Sequence, residues 1–569
     1  MKKLMLAVLL VFLLESLSRG QASSTIDQTS SFKPVTDEIL QNPSSNDWIN
    51  YRRTQNGWGY SPLNQINKRN VHELQLAWSW SLGSGISEPT PLIYDGVMYV
   101  PSPDGLIEAL DAARGDLLWR FNRESPSVGY GMMRSLAIYQ NKIYATTRDA
   151  HVIALDARTG ALLWDHKVAD YKLGYHYTSG PLVVKGKIVV GMQGCQVYKN
   201  DVCFISAYDP QTGDELWRTS TIARPGEPGG DTWGDLPLVF RAGGDAWITG
   251  SYDPGTNLIY WSADQAKPWA RFQRGDMEGD ELYTNCVLAL DPDTGKIVWY
   301  HQIIPGDSFD MDDVFENVLV DHDGRNSLFK MGKLGILWEL DRRTGKFLSA
   351  HDLGYQNIYD LDPETGKLTF RPNKLQKSGV EVDYCPGVIG FKNWQAMAYD
   401  PATQAFYIPL QLYCEKTTYL DVEKVEGGGG VGKRGTSIQY TLPAAGGNGG
   451  EFVAMDIKTG NIRWRHRIET PFTSAALTTG GGLVITGDYD RNVFIYDAST
   501  GEELFRTRMP SAVLGYPITY AVNGTQYLAV PVGAGAPRVT FAARVLKKTP
   551  PAGNGIYVFS LPNRTGRPR

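Results

Sequence analysis

The chain has 569 residues and a formal net charge of −5, with 61 glycines, 30 tyrosines and 15 tryptophans. This length exceeds one ordinary hydrophobic core, so the chain forms either several domains or one large repetitive domain. A mildly acidic chain without a basic run argues against nucleic-acid binding. Glycine favours turns and large aromatic residues favour strands, so the composition predicts an all-β fold.

The first 22 residues, MKKLMLAVLLVFLLESLSRGQA, are typical of a secretory signal peptide. A basic start precedes an apolar run from Leu4 to Leu14, which is too short to span a bilayer, and small residues follow. The alternative is a buried N-terminal helix. No later apolar run is long enough to cross a membrane, so we expect an exported soluble protein made of residues 23–569.

Pairing of the five cysteines is expected in an oxidising compartment. Cys195 and Cys203 lie eight residues apart and could close a hairpin-sized loop, while Cys385 and Cys414 flank two strand-like runs. Cys286 lies in an alternating strand and is predicted to be a free core thiol. The sequence contains no CxxCH, so we expect no c-type haem, and no CxxC pair indicates structural zinc.

One pattern, apolar-x-Asp-x-x-(Thr)-Gly-x-x-x-Trp, recurs along the chain. A strand ends at the Asp, a tight turn follows, and an aromatic-ended strand returns. The seven copies are at Asp111, Asp156, Asp209, Asp291, Asp341, Asp456 and Asp497. The shorter separations of 41 to 53 residues suit the four-stranded blade of a β-propeller. Degenerate copies at Asp253 and Asp400 fall in the two long gaps, so the count predicts seven or more blades.

The repeat tryptophans are interpreted as structural staples between blades rather than as cofactor residues. They are Trp119, Trp164, Trp217, Trp299 and Trp464. The segment from Glu426 to Gly450 is too glycine-rich for a strand and is predicted to be a loop over one face of the propeller.

The stretch PGDSFDMDDVFE concentrates four aspartates, Asp307, Asp310, Asp312 and Asp313, in seven positions. Such a cluster is either a solvated turn or part of a metal-bound active site, and the stretch alone does not distinguish the two.

The repeated motif resembles the tryptophan-docking motif of the quinoprotein alcohol dehydrogenases, which use pyrroloquinoline quinone (PQQ). The resemblance extends to YSPLNQINKRNVHELQLAWSW, GSYDPGTNLIYW, CPGVIGFKNWQAMAYDPATQAFYIP and GGGLVITGDYDRNVFIYDASTG, and so covers nearly all of residues 23–569. It implies a single eight-bladed β-propeller domain without a cytochrome c domain. PQQ is expected in the central channel above a tryptophan floor, bridged to the protein by calcium or a lanthanide ion.

This resemblance implies a periplasmic enzyme that oxidises an alcohol to an aldehyde or ketone. In the family an aspartate is the base, hydride passes to the quinone, and the metal polarises a quinone carbonyl. Electrons then pass to a soluble cytochrome c. The competing hypothesis is a non-catalytic propeller scaffold of the cell envelope, which shares the repeat but lacks the family's site residues as a set.

The family's motifs map site residues onto this chain one at a time. Asp310 in GDSFD matches the catalytic base. The implied cofactor-binding residues are Trp247 (the floor), Arg134 (a PQQ carboxylate), Thr178, Lys333 (the quinone oxygens), Asn393 and Trp394. The implied metal ligands are Asp310, Asp312, Gln265 and Gln196.

Three departures from the family concern the site, and two of them bear on the metal. The family's vicinal Cys-Cys is absent from GYGMMR, and Gln196 and Gln265 stand where the family has a glutamate and an asparagine. A glutamine offers an oxygen to a hard cation but no charge. Asp312 lies at the offset where lanthanide-using members carry an extra aspartate, so calcium, a lanthanide and a weak or absent metal all stay open.

Within the acidic loop, Asp310 and Asp312 are expected to point the same way on an extended segment, because side chains two apart share a face. Asp307 and Asp313 are expected to be solvated or structural. The sequence determines neither the alcohol nor the oligomeric state, and a homodimer stays open.

Overall fold

Eight antiparallel sheets of consecutive strands dominate the computed structural model, which describes residues 32–126, 132–275, 278–533 and 537–562. The predicted signal peptide lies outside the described residues. By chain contacts, the described residues from Pro34 onward form one unit. The sheets are numbered 1 to 8 in chain order below.

In sheets 1 to 7 four strands pair in chain order, and sheet 8 combines three such strands with one from near the N-terminus. Sheet 1 comprises Leu92–Tyr94, Val97–Pro101, Leu106–Asp111 and Leu117–Asn122, and sheet 2 comprises Ala137–Tyr139, Lys142–Thr146, His151–Asp156 and Leu162–Lys167. Sheet 3 comprises Leu182–Val184, Lys187–Gly191, Phe204–Tyr208 and Glu215–Ser220, and sheet 4 comprises Ser251–Asp253, Leu258–Ser262, Cys286–Leu290 and Ile297–Gln302. Sheet 5 comprises Val318–His322, Arg325–Met331, Ile336–Asp341 and Phe347–Asp352, and sheet 6 comprises Ala398–Asp400, Ala405–Gln411, Gly450–Asp456 and Ile462–Ile468. Sheet 7 comprises Leu477–Thr479, Leu483–Gly487, Asn492–Asp497 and Glu503–Arg508, and sheet 8 comprises Ile518–Val522, Thr525–Val532, Asn554–Ser560 and Gln75–Leu82.

Sheet 8 joins the two ends of the described chain. Its fourth strand, Gln75–Leu82, comes from near the N-terminus and pairs antiparallel with Asn554–Ser560. A fifth strand, Tyr60–Ser61, pairs parallel with the first strand of sheet 7. The first strands of several neighbouring sheets also contact one another, as in sheets 2 and 3, 4 and 5, and 6 and 7. The described residues therefore form an all-β propeller, as predicted.

The remaining elements lie in the connections. Small sheets pair Ala242–Gly243 with Ala266–Lys267, Tyr359–Leu361 with Leu368–Phe370, and Tyr413–Leu420 with both Glu381–Tyr384 and Lys433–Thr441. The α-helices are Asp37–Gln41, Arg271–Arg274 and Pro537–Leu546, and the 3₁₀ helices are Val71–Glu73, Tyr171–Leu173, Gly230–Trp233, Leu238–Phe240, Pro372–Lys374 and Pro443–Ala445. Among the described residues, no helix has the length and apolarity needed to cross a membrane.

The aspartate turn of one sheet receives the tryptophan of the sheet before it. Asp291 accepts hydrogen bonds from the backbone N–H of Asp293 (3.0 Å) and Thr294 (2.8 Å), which leaves Gly295 with a φ of 71°. A Cβ added at Gly295 would lie 2.5 Å from the Trp217 ring, and the indole N–H of Trp217 donates to the Pro292 carbonyl at 3.0 Å. The same contact joins Gly115 to Trp78, Gly160 to Trp119, Gly213 to Trp164, Gly345 to Trp299 and Gly501 to Trp464.

The interpretation of Asp253 and Asp400 as degenerate repeat copies is wrong. Each ends the first strand of its sheet and opens the hairpin to the second, whereas the repeat joins the third strand to the fourth. The sheet without a repeat copy is sheet 8, which the chain termini build. Sequence reading also missed a copy of the turn at Asp362, which accepts from the N–H groups of Glu364 and Thr365 in the small hairpin after sheet 5.

The expectation of a strandless loop from Glu426 to Gly450 is wrong in part. Residues Lys433–Thr441 form a strand that pairs with Tyr413–Leu420, because their threonines, isoleucine and tyrosine favour extended backbone. The glycines that precede this strand form the irregular part.

The cysteine predictions are confirmed. Cys195 bonds to Cys203 and Cys385 bonds to Cys414, while Cys286 is a buried free thiol.

The glycine–tryptophan contact can be tested by comparing two glycines of similar φ. Gly324→Ala, where φ is 76° and no atom lies within 4 Å of the added Cβ, should cost about 1 kcal/mol of unfolding free energy from left-handed backbone alone. Gly295→Ala should cost a further 1–3 kcal/mol, roughly, because the Trp217 ring must move. Urea-induced unfolding followed by circular dichroism measures both, and equal losses would contradict the packing role.

Candidate active site

A cavity of about 220 Å³ collects most of the predicted site residues. Those that line it are Arg134, Gln196, Trp247, Asp310, Asp312, Lys333 and Asn393. Gln265, Thr178 and Trp394 are buried and do not line it, although Gln265 and Thr178 contact residues that do. The connections between sheets therefore bring together residues as far apart in the chain as Arg134 and Asn393.

Asp310 and Asp312 converge on the ammonium group of Lys333. The Lys333 Nζ lies 2.9 Å from Asp310 Oδ2 and 2.8 Å from Asp312 Oδ2, and it donates to the Asp310 carbonyl at 2.6 Å. The expectation of an extended segment is wrong, because Asp310 has a φ of 63°, in the left-handed region. Non-glycine residues in that region carry strain and cluster at functional sites.

The protonation of this trio reflects its burial. Burial raises the pKa of Asp310 to about 8; Lys333 opposes that change, and the neighbouring charge of Asp312 adds to it. Burial alone would lower the pKa of Lys333, but the carboxylates of Asp310 and Asp312 outweigh it and raise that pKa. The ammonium therefore stays charged and holds both acidic side chains at the cavity.

Unpartnered buried oxygens mark the surroundings of Asp310. Gln265 donates from Nε2 to Asp310 Oδ1, while its Oε1 is buried without a hydrogen-bond partner among the described residues. Asp312 Oδ1 is buried and unpartnered in the same sense. Buried acceptors of this kind are costly unless a donor or cation satisfies them. This donor set therefore fits an oxygen-preferring cation.

A second acidic cluster was missed by sequence reading. Lys267 Nζ lies 2.8 Å from Asp264 Oδ2 and 3.6 Å from Asp245 Oδ2, and all three residues line the cavity. Burial raises the pKa of Asp264, with Lys267 opposing it, and the pKa of Lys267 is raised because nearby carboxylates outweigh its own burial. The available signal was the placement of three charged residues within or beside apolar stretches, in GGDAWITG and SADQAKPW.

Trp247 and Arg134 form one wall of the cavity. The Arg134 guanidinium carbon lies 5.0 Å from the centre of the Trp247 ring, and Phe315 packs edge-on behind that ring at 5.4 Å. Glu88, also missed from sequence, pairs with Arg134 at 2.8 Å, and Arg134 donates to the Thr178 hydroxyl at 2.8 Å. These contacts hold the guanidinium against the aromatic face, and they use three of its five N–H groups.

Trp394 lies behind the wall rather than in it. Its ring is fully buried and packs against Tyr516 at 5.4 Å, while its backbone N–H donates to Asn393 Oδ1 at 2.8 Å. Asn393 also donates to the Ile389 carbonyl at 2.8 Å. Trp394 thus fixes the Asn393 side chain, and the implied direct cofactor contact of Trp394 is not seen in the cavity lining.

Asp307 and Asp313 are buried and structural, so the solvated alternative is wrong for both. Asp307 accepts from the backbone N–H of Phe309 and Met311 and so shapes the turn that carries Asp310. Asp313 pairs with Lys330 at 2.8 Å.

The glycine-rich segment closes one side of the cavity. Val431 lines the cavity, and its carbonyl accepts from the Trp269 N–H at 3.0 Å. Gly430 donates to the Gln196 carbonyl at 2.8 Å, which ties this segment to the loop held by the Cys195–Cys203 disulfide. Val431 and Phe541 add apolar surface to the cavity lining.

An aromatic face, an acidic cluster and fixed cationic groups in one cavity of a β-propeller define a cofactor-dependent enzyme site. Residues 48–350 and 357–528 match the family described as "PQQ: Glucose/ethanol/alcohol dehydrogenase, beta-propeller domain". The chain belongs to this family of PQQ-dependent alcohol dehydrogenases, so the predicted family and its enzyme class are confirmed.

Individual relatives agree over most of the chain. The chain is 32% identical to the quinohemoprotein alcohol dehydrogenase ADH-IIG of Pseudomonas putida, with 89% of this chain and 74% of that one aligned. It is 30% identical to the quinoprotein alcohol dehydrogenase PedE of Pseudomonas putida, over 93% of this chain and 92% of that one. A solved europium-containing methanol dehydrogenase superposes with a TM-score of 0.85 at 30% identity, covering 92% of this chain and 100% of that one.

Trp247 gives a direct test of cofactor stacking. Trp247→Ala should weaken PQQ binding on the order of tenfold, because an aromatic pair contributes about 0.5–1.5 kcal/mol beyond its buried area. Equilibrium dialysis against PQQ measures the change. Trp164→Phe, which alters a repeat tryptophan packed on Gly213, should leave PQQ affinity unchanged; a similar loss in both variants would remove the special role of Trp247.

Proposed function

We propose that this protein is an exported PQQ-dependent dehydrogenase that oxidises an alcohol to the aldehyde or ketone, with Asp310 as the base. The observation that carries the proposal is the convergence of Asp310 and Asp312 on Lys333 in a buried cavity beside Trp247. A scaffold protein has no need to bury this much charge around an aromatic wall.

The cavity residues fit PQQ. The Trp247 face offers a flat surface for stacking, and Arg134 has two further N–H groups for the oxygens of an acidic, planar quinone. Lys333, whose N–H groups are directed at Asp310 and Asp312, would attract those oxygens through its positive charge. Asn393, fixed by Trp394 and Ile389, adds a polar contact at the same wall. Thr178 supports this set indirectly through Arg134. PQQ, when bound, accepts the hydride of the alcohol, and a cation beside it assists by polarising the acceptor.

In this proposal Asp310 takes the hydroxyl proton of the alcohol. Burial raises the pKa of Asp310, so additional positive charge beside it, such as a bound cation, would favour the ionised form that acts as a base. Lys333 orients Asp310 Oδ2 and its backbone carbonyl, and Gln265 orients Oδ1. These contacts hold both oxygens of the Asp310 carboxylate in fixed positions.

A cation would be held by oxygens of Asp310, Asp312 and Gln265, with Gln196 at the cavity edge. Calcium and a lanthanide ion are both proposed, because the set contains two carboxylates and neutral amide oxygens. The europium named for the similar methanol dehydrogenase supports the trivalent alternative.

The eight sheets are proposed to be the eight blades of the propeller, joined by tryptophan docking. The contacts of Trp78, Trp119, Trp164, Trp217, Trp299 and Trp464 with the glycine turn of the following sheet support this assignment.

Export to the periplasm and electron transfer to a soluble cytochrome c are proposed as the setting of the reaction. The two disulfides support an oxidising compartment. N-terminal sequencing of the protein purified from its host tests whether it begins at Ser23. Reduction of an added soluble cytochrome c, followed by absorbance, tests the acceptor, and no reduction with an alcohol present would contradict it.

Replacement of the proposed base gives the central test. Asp310→Asn keeps the shape of the side chain and removes its basicity, so kcat for alcohol-dependent dye reduction should fall about 10²–10⁴-fold while PQQ still binds. The control is Asp321→Asn, at a carboxylate with a 65% exposed side chain, which should leave kcat unchanged. Near-normal kcat in Asp310→Asn would rule out Asp310 as the base.

Metal dependence can be tested by removal and replacement. Chelation should abolish dye reduction, and either calcium or a lanthanide ion should restore it. Asp312→Ala should reduce activity more with the lanthanide than with calcium, because a trivalent ion gains more from a second carboxylate. Equal losses with both ions would contradict a lanthanide-specific role for Asp312. If neither ion restores turnover and no quinone is bound, the scaffold hypothesis is favoured.

A further inference from the structure

Lys267 introduces a fixed positive charge into the acidic side of the cavity. Its ammonium lies 2.8 Å from Asp264 and 3.6 Å from Asp245, and Lys267 is only 7% exposed. The backbone N–H of Asp245 donates to Asp264 Oδ1 at 2.7 Å, so the two carboxylates are held side by side around the ammonium.

Lys267 also changes the charge that the whole cavity presents. The lining contains five carboxylate residues and three cationic ones, a formal excess of two negative charges. Without Lys267 the excess would be three. Glu88 and Arg134 cancel as a close pair, so the excess lies in the region around Asp310, Asp312, Asp245 and Asp264.

Independent observations indicate that a cation belongs there. The Oε1 of Gln265, which is fully buried, and the Oδ1 of Asp312 have no hydrogen-bond partner among the described residues. Asp245 Oδ2 also accepts no hydrogen bond there, and its one cationic neighbour, Lys267, is 3.6 Å away. Gln265 contacts Asp310 directly, and Lys267 follows Gln265 by two residues on the same segment.

We propose that Lys267 sets the charge preference of the cation site, biasing it toward a divalent ion and against a trivalent one. This inference rests on the proposed function, since it concerns the cation of the same site. A fixed ammonium repels a nearby ion in proportion to the charge of that ion. The repulsion energy is therefore about one and a half times as large for a trivalent ion as for a divalent ion at the same distance. Burial limits the screening of this repulsion by salt.

The test compares variants that change the charge of the cavity in single steps. Lys267→Met removes one positive charge, Asp264→Asn removes one negative charge, and the double variant leaves the total as in the wild type. The probes are terbium(III), detected by luminescence sensitised through the cavity tryptophans Trp247 and Trp269, and calcium, measured by its competition with terbium. The measured quantity is the ratio of the calcium to the terbium dissociation constant.

Lys267→Met should raise this ratio about tenfold, and Asp264→Asn should lower it by about as much. The double variant should return to the wild-type ratio, which a merely structural effect of either substitution would not produce. Circular dichroism checks the fold of each variant. Because the dissociation-constant ratio is predicted to change in opposite directions in the two single variants, either variant alone is informative if the other fails to fold.

The proposal is overturned if the ratio is unchanged in the single variants, if both change in the same direction, if the double variant fails to return, or if no terbium binds. PQQ binding is measured by equilibrium dialysis on the same preparations. If the wild type does not bind PQQ, the proposed function is contradicted. If it binds PQQ but the single variants leave the ratio of calcium to terbium dissociation constants unchanged, only the role of Lys267 is contradicted.

Discussion

The packing of a tryptophan on a left-handed glycine is the contact on which the structure depends. An aspartate fixes each turn by accepting two backbone N–H groups, as Asp291 does, and the glycine that follows exposes bare backbone. The indole of the preceding sheet covers that backbone, and its N–H satisfies a carbonyl of the turn, as Trp217 does with Pro292. Because both partners come from the same repeat, a sheet with a complete copy, such as sheets 1 to 4, can contact its neighbours on both sides in this way. The pairing of Gln75–Leu82 with Asn554–Ser560 joins the two ends of the series in one sheet.

This outer framework allows an inner site that would otherwise be unstable. Buried charges are tolerated only when each is paired and hydrogen-bonded, and here two lysines each bridge two aspartates. The rigid sheets fix the connecting segments, so Lys333 and Lys267 reach their carboxylates at hydrogen-bonding or ion-pair distance without relying on flexible surface geometry. The formal negative excess that remains favours cations in the cavity, and the surrounding structure holds Asp310 in its strained left-handed conformation.

Sequence reasoning succeeded where a residue type was tied to a local pattern. The repeat turns, both disulfides and the presence of Asp310, Asp312 and Lys333 at one site were predicted from short motifs and spacings, whereas the ion pairs of Lys333 with the two aspartates were not. It failed where a pattern did not reveal which strands of a sheet it joins. The Tyr-Asp-Pro sequences at Asp253 and Asp400 resemble the repeat turn, but they begin the hairpin between the first and second strands of their sheets. It also missed Asp245, Asp264 and Lys267, whose importance comes from meeting across a gap of about twenty residues that no local motif signals.

The sequence by itself determined the class of fold, the family and the chemical types of the site residues, because strand-turn periodicity and motif residues are local properties of the chain. Only the tertiary structure decided which of those residues share the cavity, which lie behind its wall as Trp394 does, and how much charge the cavity carries. The physical reason is that burial and ion pairing depend on distances between segments far apart in the chain. Those distances are fixed by the packing of whole sheets and not by any one stretch of residues.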